Sequence, residues 1–268
     1  MSAYYNEIDP YAAQWLRNLI AAGHIAPGDV DERSIEDVHP DELKPYTQCH
    51  FFAGVGVWSY ALRRAGWPDD RPVWTGSCPC QPFSSAGKGS GFVDKRHLWP
   101  SWHHLIKERG PPVVFGEQVA SQAGLLWIDL VQTDLEAEGY AFGSVDICSA
   151  GIGSANGRQR LYLVANTDGH RRSWRTQQDI RTKQSRQQAS RWGDSCRRSQ
   201  DALSTPLVMV GADGASRLLE SGTVPLVAGY PTLVERLRAY GNAINAEAAT
   251  QFIAAYLETN SHSSQDRP

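Results

Sequence analysis

No apolar run in the 268-residue sequence approaches the ~20 residues that a membrane-spanning helix needs. Nor does the N-terminus show a charged-then-apolar signal pattern, so a cytoplasmic protein is expected. Cysteine is scarce. The five positions (49, 78, 80, 148 and 196) form no even framework, which fits a reducing compartment rather than a disulfide scaffold. Cys78 and Cys80 are followed by no second Cys or His pair at finger-like spacing, so no metal site is expected. Strong net charge is also missing, at −3 overall, yet the sum hides an asymmetry. Residues 1–46 are acidic, whereas 167–200 hold nine Arg and Lys against three Asp. That cationic stretch reads either as a phosphate-contacting arm or as a solvated, disordered insert.

What is present is organised. The length allows one large core, alone or with a small lobe. The first half alternates short apolar runs with amphipathic stretches, predicting strand–helix–strand units and a mostly parallel sheet. Strands are predicted at Ala3–Ile8, Gly28–Val30, His50–Ala53, Pro72–Gly76 and Pro112–Phe115. Helices are predicted at Tyr11–Ala22, Trp58–Ala65, Trp99–Lys107 and Leu125–Glu138, the last with Leu126, Leu130, Val131 and Leu135 on its apolar face. Ser34–Asp41 reads as a helical turn. Tyr140–Cys148 and Leu161–Ala165 read as a late antiparallel pair, and Leu207–Leu219 as a hairpin around Asp213-Gly214. Val234–Tyr240 and Glu247–Leu257 are predicted helices, followed by a polar, frayed tail.

The richest segment is GSCPCQPFSSAGKGSGFVDKR, at 76–96. Two prolines and Gly87, Gly89 and Gly91 exclude a regular helix or central strand, leaving a rigid turn and a glycine-rich loop. The turn presents a thiol, and a free cysteine is otherwise usually a small buried hydrophobe. Pro79-Cys80-Gln81-Pro82-Phe83-Ser84 with Asp94-Lys95-Arg96 resembles the catalytic loop of the cytosine-5 DNA methyltransferases. Other blocks resemble the same family: HFFAGVGVWSYALRRAG (50–66) its cofactor turn, Phe115-Gly116-Glu117-Gln118-Val119 its Glu-Asn-Val strand end, and Asn156-Gly157-Arg158-Gln159-Arg160 its Gln-x-Arg-x-Arg block. Tyr240-Gly241-Asn242-Ala243-Ile244 resembles its C-terminal Gly-Asn block. The resemblance covers most of the chain outside roughly 167–204. It departs at His50, Val57, Gln118 and Asn156, where the family usually has Asp, Gly, Asn and Gln.

The resemblance implies a Rossmann-like α/β sheet that binds S-adenosylmethionine, plus a small DNA-recognition lobe. Only 24 positions separate Gly56 from Cys80, too few for the two strand–helix units that normally intervene. Those units are similar to Tyr5-Asn6-Glu7-Ile8-Asp9-Pro10-Tyr11-Ala12 and Ala26-Pro27-Gly28-Asp29-Val30, which come first here. A permuted order is therefore expected: second, third, first, then catalytic strand, in a sheet ordered 3-2-1-4. This needs a crossover over 31–45. The expected catalytic domain is 1–166 plus 232–258, with target recognition in 167–231 (167–204 loop or disordered) and a flexible 259–268.

By the same resemblance Cys80 is the nucleophile, with Cys78 its rival, and Glu117 serves the ring nitrogen; otherwise Glu117 is a salt-bridged surface acid. Arg158 and Arg160 flank it, phosphate contact being the alternative for Arg158. Gln81, Ser84, Asp94 and Arg96 serve the extruded base and the closed loop. Phe52, Ala53, Gly54 and Gly56 with Glu7, Ile8, Asp29, Val30 and Asn242 form the cofactor site, Glu7 on the ribose and Asp29 on the adenine amine. Double-stranded DNA is the expected partner of a monomer, with a restriction endonuclease as a possible cellular companion. The readings left open are a weakly active or inactive DNA-binding relative, and the same chemistry on RNA.

Overall fold

The computed structural model describes residues 2–79, 98–152, 157–167, 207–210, 216–219 and 243–265. Seven strands form one sheet: β1 (Ser2–Asn6), β2 (Gly28–Asp31), β3 (Tyr46–Phe51), β4 (Val73–Gly76), β5 (Val113–Val119), β6 (Ala141–Cys148) and β7 (Gln159–Asn166). Their order is β2-β1-β3-β4-β5-β7-β6. The β2–β1, β1–β3, β3–β4 and β4–β5 pairs are parallel; β7 runs antiparallel to both neighbours. Among the described residues the helices are α1 (Pro10–Ala21), α2 (Val57–Arg64), α3 (Trp99–Arg109), α4 (Gln122–Ala137) and α5 (Ala246–Gln265). A separate hairpin pairs β8 (Leu207–Val210) with β9 (Ser216–Leu219); its turn, Asp213-Gly214 included, lies outside the described residues.

This is the permuted sheet expected from the sequence. The chain lays down β1 and β2, then crosses back over β1 to place β3, the strand of the glycine turn, in the middle. Two short 3-10 turns, Ile35–Asp37 and Pro40–Leu43, make that crossover. Ile35, Val38 and Leu43 bury themselves in the cluster that holds Tyr4, Cys49 and Phe51, so the crossover is held by apolar contact. Asp9 starts α1 by accepting from the Tyr11 and Ala12 amides, so β1 ends at Asn6, two residues short of the expected Ile8.

Three apolar clusters cover the sheet. One face carries Phe51, Trp74, Trp99, Trp102 and Trp127 under α3, α4 and the crossover. On the other, Trp58, Trp67, Phe115 and Tyr162 pack with α5, and Tyr5 packs with Trp15, Leu16 and Leu19 of α1. Trp102 also accounts for the glycine ahead of the thiol loop: a Cβ at Gly76 would come within 2.6 Å of its ring.

Several expectations need correction. β3 begins at Tyr46, and β5 continues to Val119, so Glu117 sits inside a strand rather than beyond its end. Helix α4 turns a different face inward. Trp127, Ile128, Val131 and Leu135 are buried, whereas Leu126 is 52% exposed, because the large indole at 127 takes the core position. The last helix does not stop near Leu257 but runs to Gln265. Thr259 and Asn260 side chains bond back to the Tyr256 carbonyl, which extends it across a polar sequence. Val234–Tyr240 lies outside the described residues.

His50, the odd residue of the cofactor turn, is 1% exposed. It stands between Tyr5 and Thr75 in register, stacks on Tyr5 at 4.8 Å and shares a hydrogen bond of 2.8 Å between Nδ1 and Thr75 Oγ1. Burial pushes its pKa down to about 3, against a weaker pull from Asp69. The native state thus binds fewer protons than the unfolded chain between that value and the ordinary one near 6.5. Stability is complete above pH ~6.5 and is lost as pH falls toward 3, a swing of up to about 5 kcal/mol. His50→Asn is expected to flatten the acid limb of a thermal-melt series between pH 7 and 4.

Candidate active site

The sheet's register sets one row at its carboxyl edge. Asn6, Phe51, Gly76, Gly116 and Leu163 are level with one another. The next residues, Glu7, Phe52, Ser77 and Glu117 with its partner Tyr162, form the next level. Side chains alternate along a strand, so Ser77 and Glu117 belong to the face of Thr75 and Phe115, while Cys78 belongs to the opposite one. The thiol of Cys78 is indeed buried among the tryptophans of that opposite cluster. It packs as a small hydrophobe.

Glu117 is 6% exposed, and its Oε1 accepts from Arg160 Nε at 2.7 Å. Burial pushes its carboxyl up, and the positive charges of Arg160 and Arg158 and a hydrogen bond from Ser77 only partly offset this. Gln118, on the other face, is 2% exposed and donates from Nε2 to the Cys78 carbonyl at 3.3 Å, while its Oε1 accepts from the Val119 amide. The longer amide that replaces the expected Asn thus pins the stem of the thiol loop to β5. Cys80, Gln81, Ser84, Asp94, Arg96 and Asn156 lie outside the described residues.

On the other side of α2 lies the second half of the site. Glu7 follows β1; its Oε1 accepts from the Asp9 amide at 2.9 Å and its Oε2 from the Gly54 amide at 2.7 Å. Burial raises its pKa, and these two bonds lower it. Gly54 and Gly56 have φ of 55° and 76°, in the left-handed region, and Phe52 shares it at 50°. Ala53 N donates to Asn6 O, tying the turn to β1. Ile8 is 65% exposed beside Glu7. Val30, Ala53 and Val55 each pack against the cluster under α1. Asp29 is level with Tyr4, two residues before the end of β2, and accepts from the Tyr46 hydroxyl at 2.9 Å. The acid nearest Glu7 along the edge is Asp31, whose carbonyl accepts from the Glu7 amide and whose carboxylate grips Arg33 at 2.7 Å. A cavity of about 420 Å³ opens here, lined in part by Asp29, Val30, Asp31 and Tyr46. Asn242 lies outside the described residues.

Residues 67–207, more than half of the chain, match the model of the C-5 cytosine-specific DNA methylases. The chain belongs to that family. Among its relatives, Type II methyltransferase M.HhaI of Haemophilus parahaemolyticus is 29% identical over 35% of this chain and 30% of its own. Type II methyltransferase M.HgiCII of Herpetosiphon aurantiacus is 24% identical over 46% and 37% respectively. The methylase chain described here thus matches about a third of the length of these relatives. Solved structures similar to it include a mutant of Spodoptera frugiperda DNMT2 (18% identity, TM-score 0.41, 64% of this chain and 43% of that one). S. pombe Dnmt2 is another (13% identity, TM-score 0.39, 65% and 52%).

S-adenosylmethionine is the methyl donor of this methylase family. The residues present fit it. A Cβ at Gly54 would meet nothing within 4 Å, so backbone borders open space there. Each oxygen of Glu7 keeps a lone pair beyond its one amide bond, and the exposed Ile8 offers an apolar surface next to it. Among the described residues no group of three or more His, Cys, Asp or Glu is placed to hold a metal ion, and no helix is long and apolar enough to cross a membrane.

Three contributors escaped the sequence reading. Ser77 comes alongside Glu117, Trp58 bonds to Ser77, and Asp31 ends β2. Only the position of Ser77, two before the thiol frame's Pro79, carried any signal. The raised carboxyl of Glu117 has a measurable consequence. Below the unfolded value both states hold the proton, and as pH rises the native state alone must ionise a buried group. Glu117→Gln is therefore expected to gain thermal stability relative to the parent as pH climbs from 4 to 8. A melt series that shows the opposite slope would exclude burial as the dominant influence.

Proposed function

We propose that this chain transfers a methyl group from S-adenosylmethionine to carbon 5 of cytosine in double-stranded DNA, through a cysteine adduct on an extruded base. The observation that carries the proposal is the placement of Glu117, buried and clasped by Arg160 on the strand next to the stem of the thiol loop. Gln118 anchors the Cys78 carbonyl beside Glu117, and two residues extend at most roughly 7 Å, which supports a nucleophile at position 80.

The chain's groups divide the work. Carbon 5 of cytosine is a poor nucleophile until something adds at carbon 6. The Cys80 thiolate makes that bond, and the ring's displaced electrons collect toward the ring nitrogen, where Glu117 supplies a hydrogen bond or proton. Its raised affinity for a proton suits that role. Arg160 fixes the carboxyl group, and Arg158 adds positive charge beside it. Bound S-adenosylmethionine supplies the electrophilic methyl group. Glu7 holds the ribose hydroxyls, Asp29 and Val30 meet the adenine, Phe52 and Ile8 give it apolar surface, and Ala53, Gly54, Gly56 and Asn242 shape the rest. Gln81 and Ser84 fill the space of the extruded base, and Asp94 and Arg96 brace the loop over it. Extrusion is required because a stacked cytosine exposes neither face to both sulfur and methyl donor. A water-linked base takes the carbon 5 proton, the carbon 5–carbon 6 double bond re-forms, and the carbon 6–sulfur bond breaks to release Cys80 as thiolate. The cationic stretch in 167–200 contributes salt-dependent affinity for phosphates, and the segment 167–231 chooses the target. The protein acts as a monomer, and a restriction endonuclease in the same cell is the natural companion of such an activity.

Nucleoside mass spectrometry of DNA and RNA from methylation-free cells tests the whole reading. 5-Methylcytosine is expected in DNA with the wild type and not with Cys80→Ser. Signal in RNA alone would replace the substrate, and signal that survives Cys80→Ser would remove the nucleophile. Glu7→Ala is expected to weaken S-adenosylmethionine binding at least tenfold by calorimetry, since a carboxylate holding ribose hydroxyls contributes about 1.5–3 kcal/mol.

A further inference from the structure

Glu117 has a neighbour that the family resemblance did not point to. Ser77 follows Gly76, which pairs with Gly116, so the serine comes alongside Glu117 on the same face. Its Oγ accepts from the indole Nε1 of Trp58 at 3.1 Å. With that lone pair taken, the hydroxyl hydrogen is directed away from the indole, on the side where the strand register sets Glu117. Trp58 itself is fixed: it is 4% exposed, lies in the first turn of α2, stacks on Phe115 at 6.1 Å and meets Tyr162 edge-on. Two bonded pairs thus stand side by side, Trp58 with Ser77 and Arg160 with Glu117.

We propose that Ser77, oriented by Trp58, donates its hydroxyl hydrogen to Glu117 and is a positioning residue for it. Arg160 holds Oε1 from the β7 side, and one contact leaves the carboxyl group free to rotate about its own axis. A second contact from the β4 side removes that freedom. The groups around Glu117 are then Ser77 just after β4, Arg158 just before β7, and Arg160 and the buried Tyr162 on β7, with Trp58 of α2 behind Ser77. Because Trp58 follows the glycine turn of the cofactor half by two residues, the same indole ties the orientation of Glu117 to the seating of α2. The two halves of the site are joined through one side chain. This inference rests on the function proposed above.

Two readouts test it, one of which needs no activity. In protein carrying carboxyl-labelled glutamate, the Glu117 titration midpoint is expected to move upward in Ser77→Ala and to stay near the parent value in Ser77→Thr, which keeps the hydroxyl. Trp58→Phe is expected to move it in the same direction by less, because the serine keeps its proton but loses its orientation. In methyl transfer to DNA, Ser77→Ala is expected to lower kcat about tenfold, the worth of one well-placed hydrogen bond, with KM for S-adenosylmethionine unchanged. An unmoved midpoint in Ser77→Ala, or a loss equally severe in Ser77→Thr, would overturn the role. If the wild type transfers no methyl group, the functional reading fails while the titration still decides the Ser77 contact.

Discussion

Everything at this site hangs on the hydrogen-bond register of the parallel strands. Four ladders run from β2 to β5 without a change of direction, so the residues that follow each strand emerge at one edge. A slip of one residue between β4 and β5 would send Glu117 into the tryptophan cluster and Gln118 into its place. The register is guarded where it matters. Trp102 admits only glycine at 76, and the bond from Gln118 to the Cys78 carbonyl crosses the same two strands. The permutation leaves this intact because hydrogen bonds between strands depend on their neighbours in space, not on the order of synthesis.

The sheet's interior carries an unequal electrostatic load. His50 is held neutral, Glu7 and Glu117 are pushed toward their protonated forms, and each sits within two levels of the carboxyl edge. Burial is the leading cause in all three. A protein selected for stability alone would place apolar groups there; buried groups that resist their usual charge are what a site for proton traffic and polar ligands requires. Histidine at 50 follows the same logic. An aspartate would face the same burial with a full negative charge as its resting form, whereas imidazole satisfies Thr75 and stacks on Tyr5 without charge.

The strands and their permuted order were legible because each block carries a local signal: a glycine turn, an acid after a short strand, a proline-framed thiol. Two kinds of feature were not. The inward face of α4 was decided by Trp127 competing with Leu126 for the core, a contest settled by the shape of the cavity beneath and not by spacing. The Trp58–Ser77–Glu117 chain joins residues from three elements and has no counterpart along the sequence. Asp29 stands between these cases. Its block predicts a role on the adenine, but it lies two residues before the strand end and is bonded to Tyr46, while Asp31 occupies the edge and is consumed by Arg33.

That arrangement has a consequence for how the two halves communicate. The edge of β2 is neutralised locally, since Asp31 faces Arg33 and Arg17 faces Glu32. Surface pairs of this kind contribute little to stability, but they leave Glu7 as the buried carboxylate facing the glycine turn. Glu7 in turn spends one oxygen on the Gly54 amide, so any ligand that competes for that carboxylate also loads the turn that starts α2. Because α2 carries Trp58, strain at Gly54 travels no more than four residues before it reaches the hydrogen bond to Ser77. The order in which the strands are laid down does not enter this path, because Gly54 and Trp58 belong to one continuous segment.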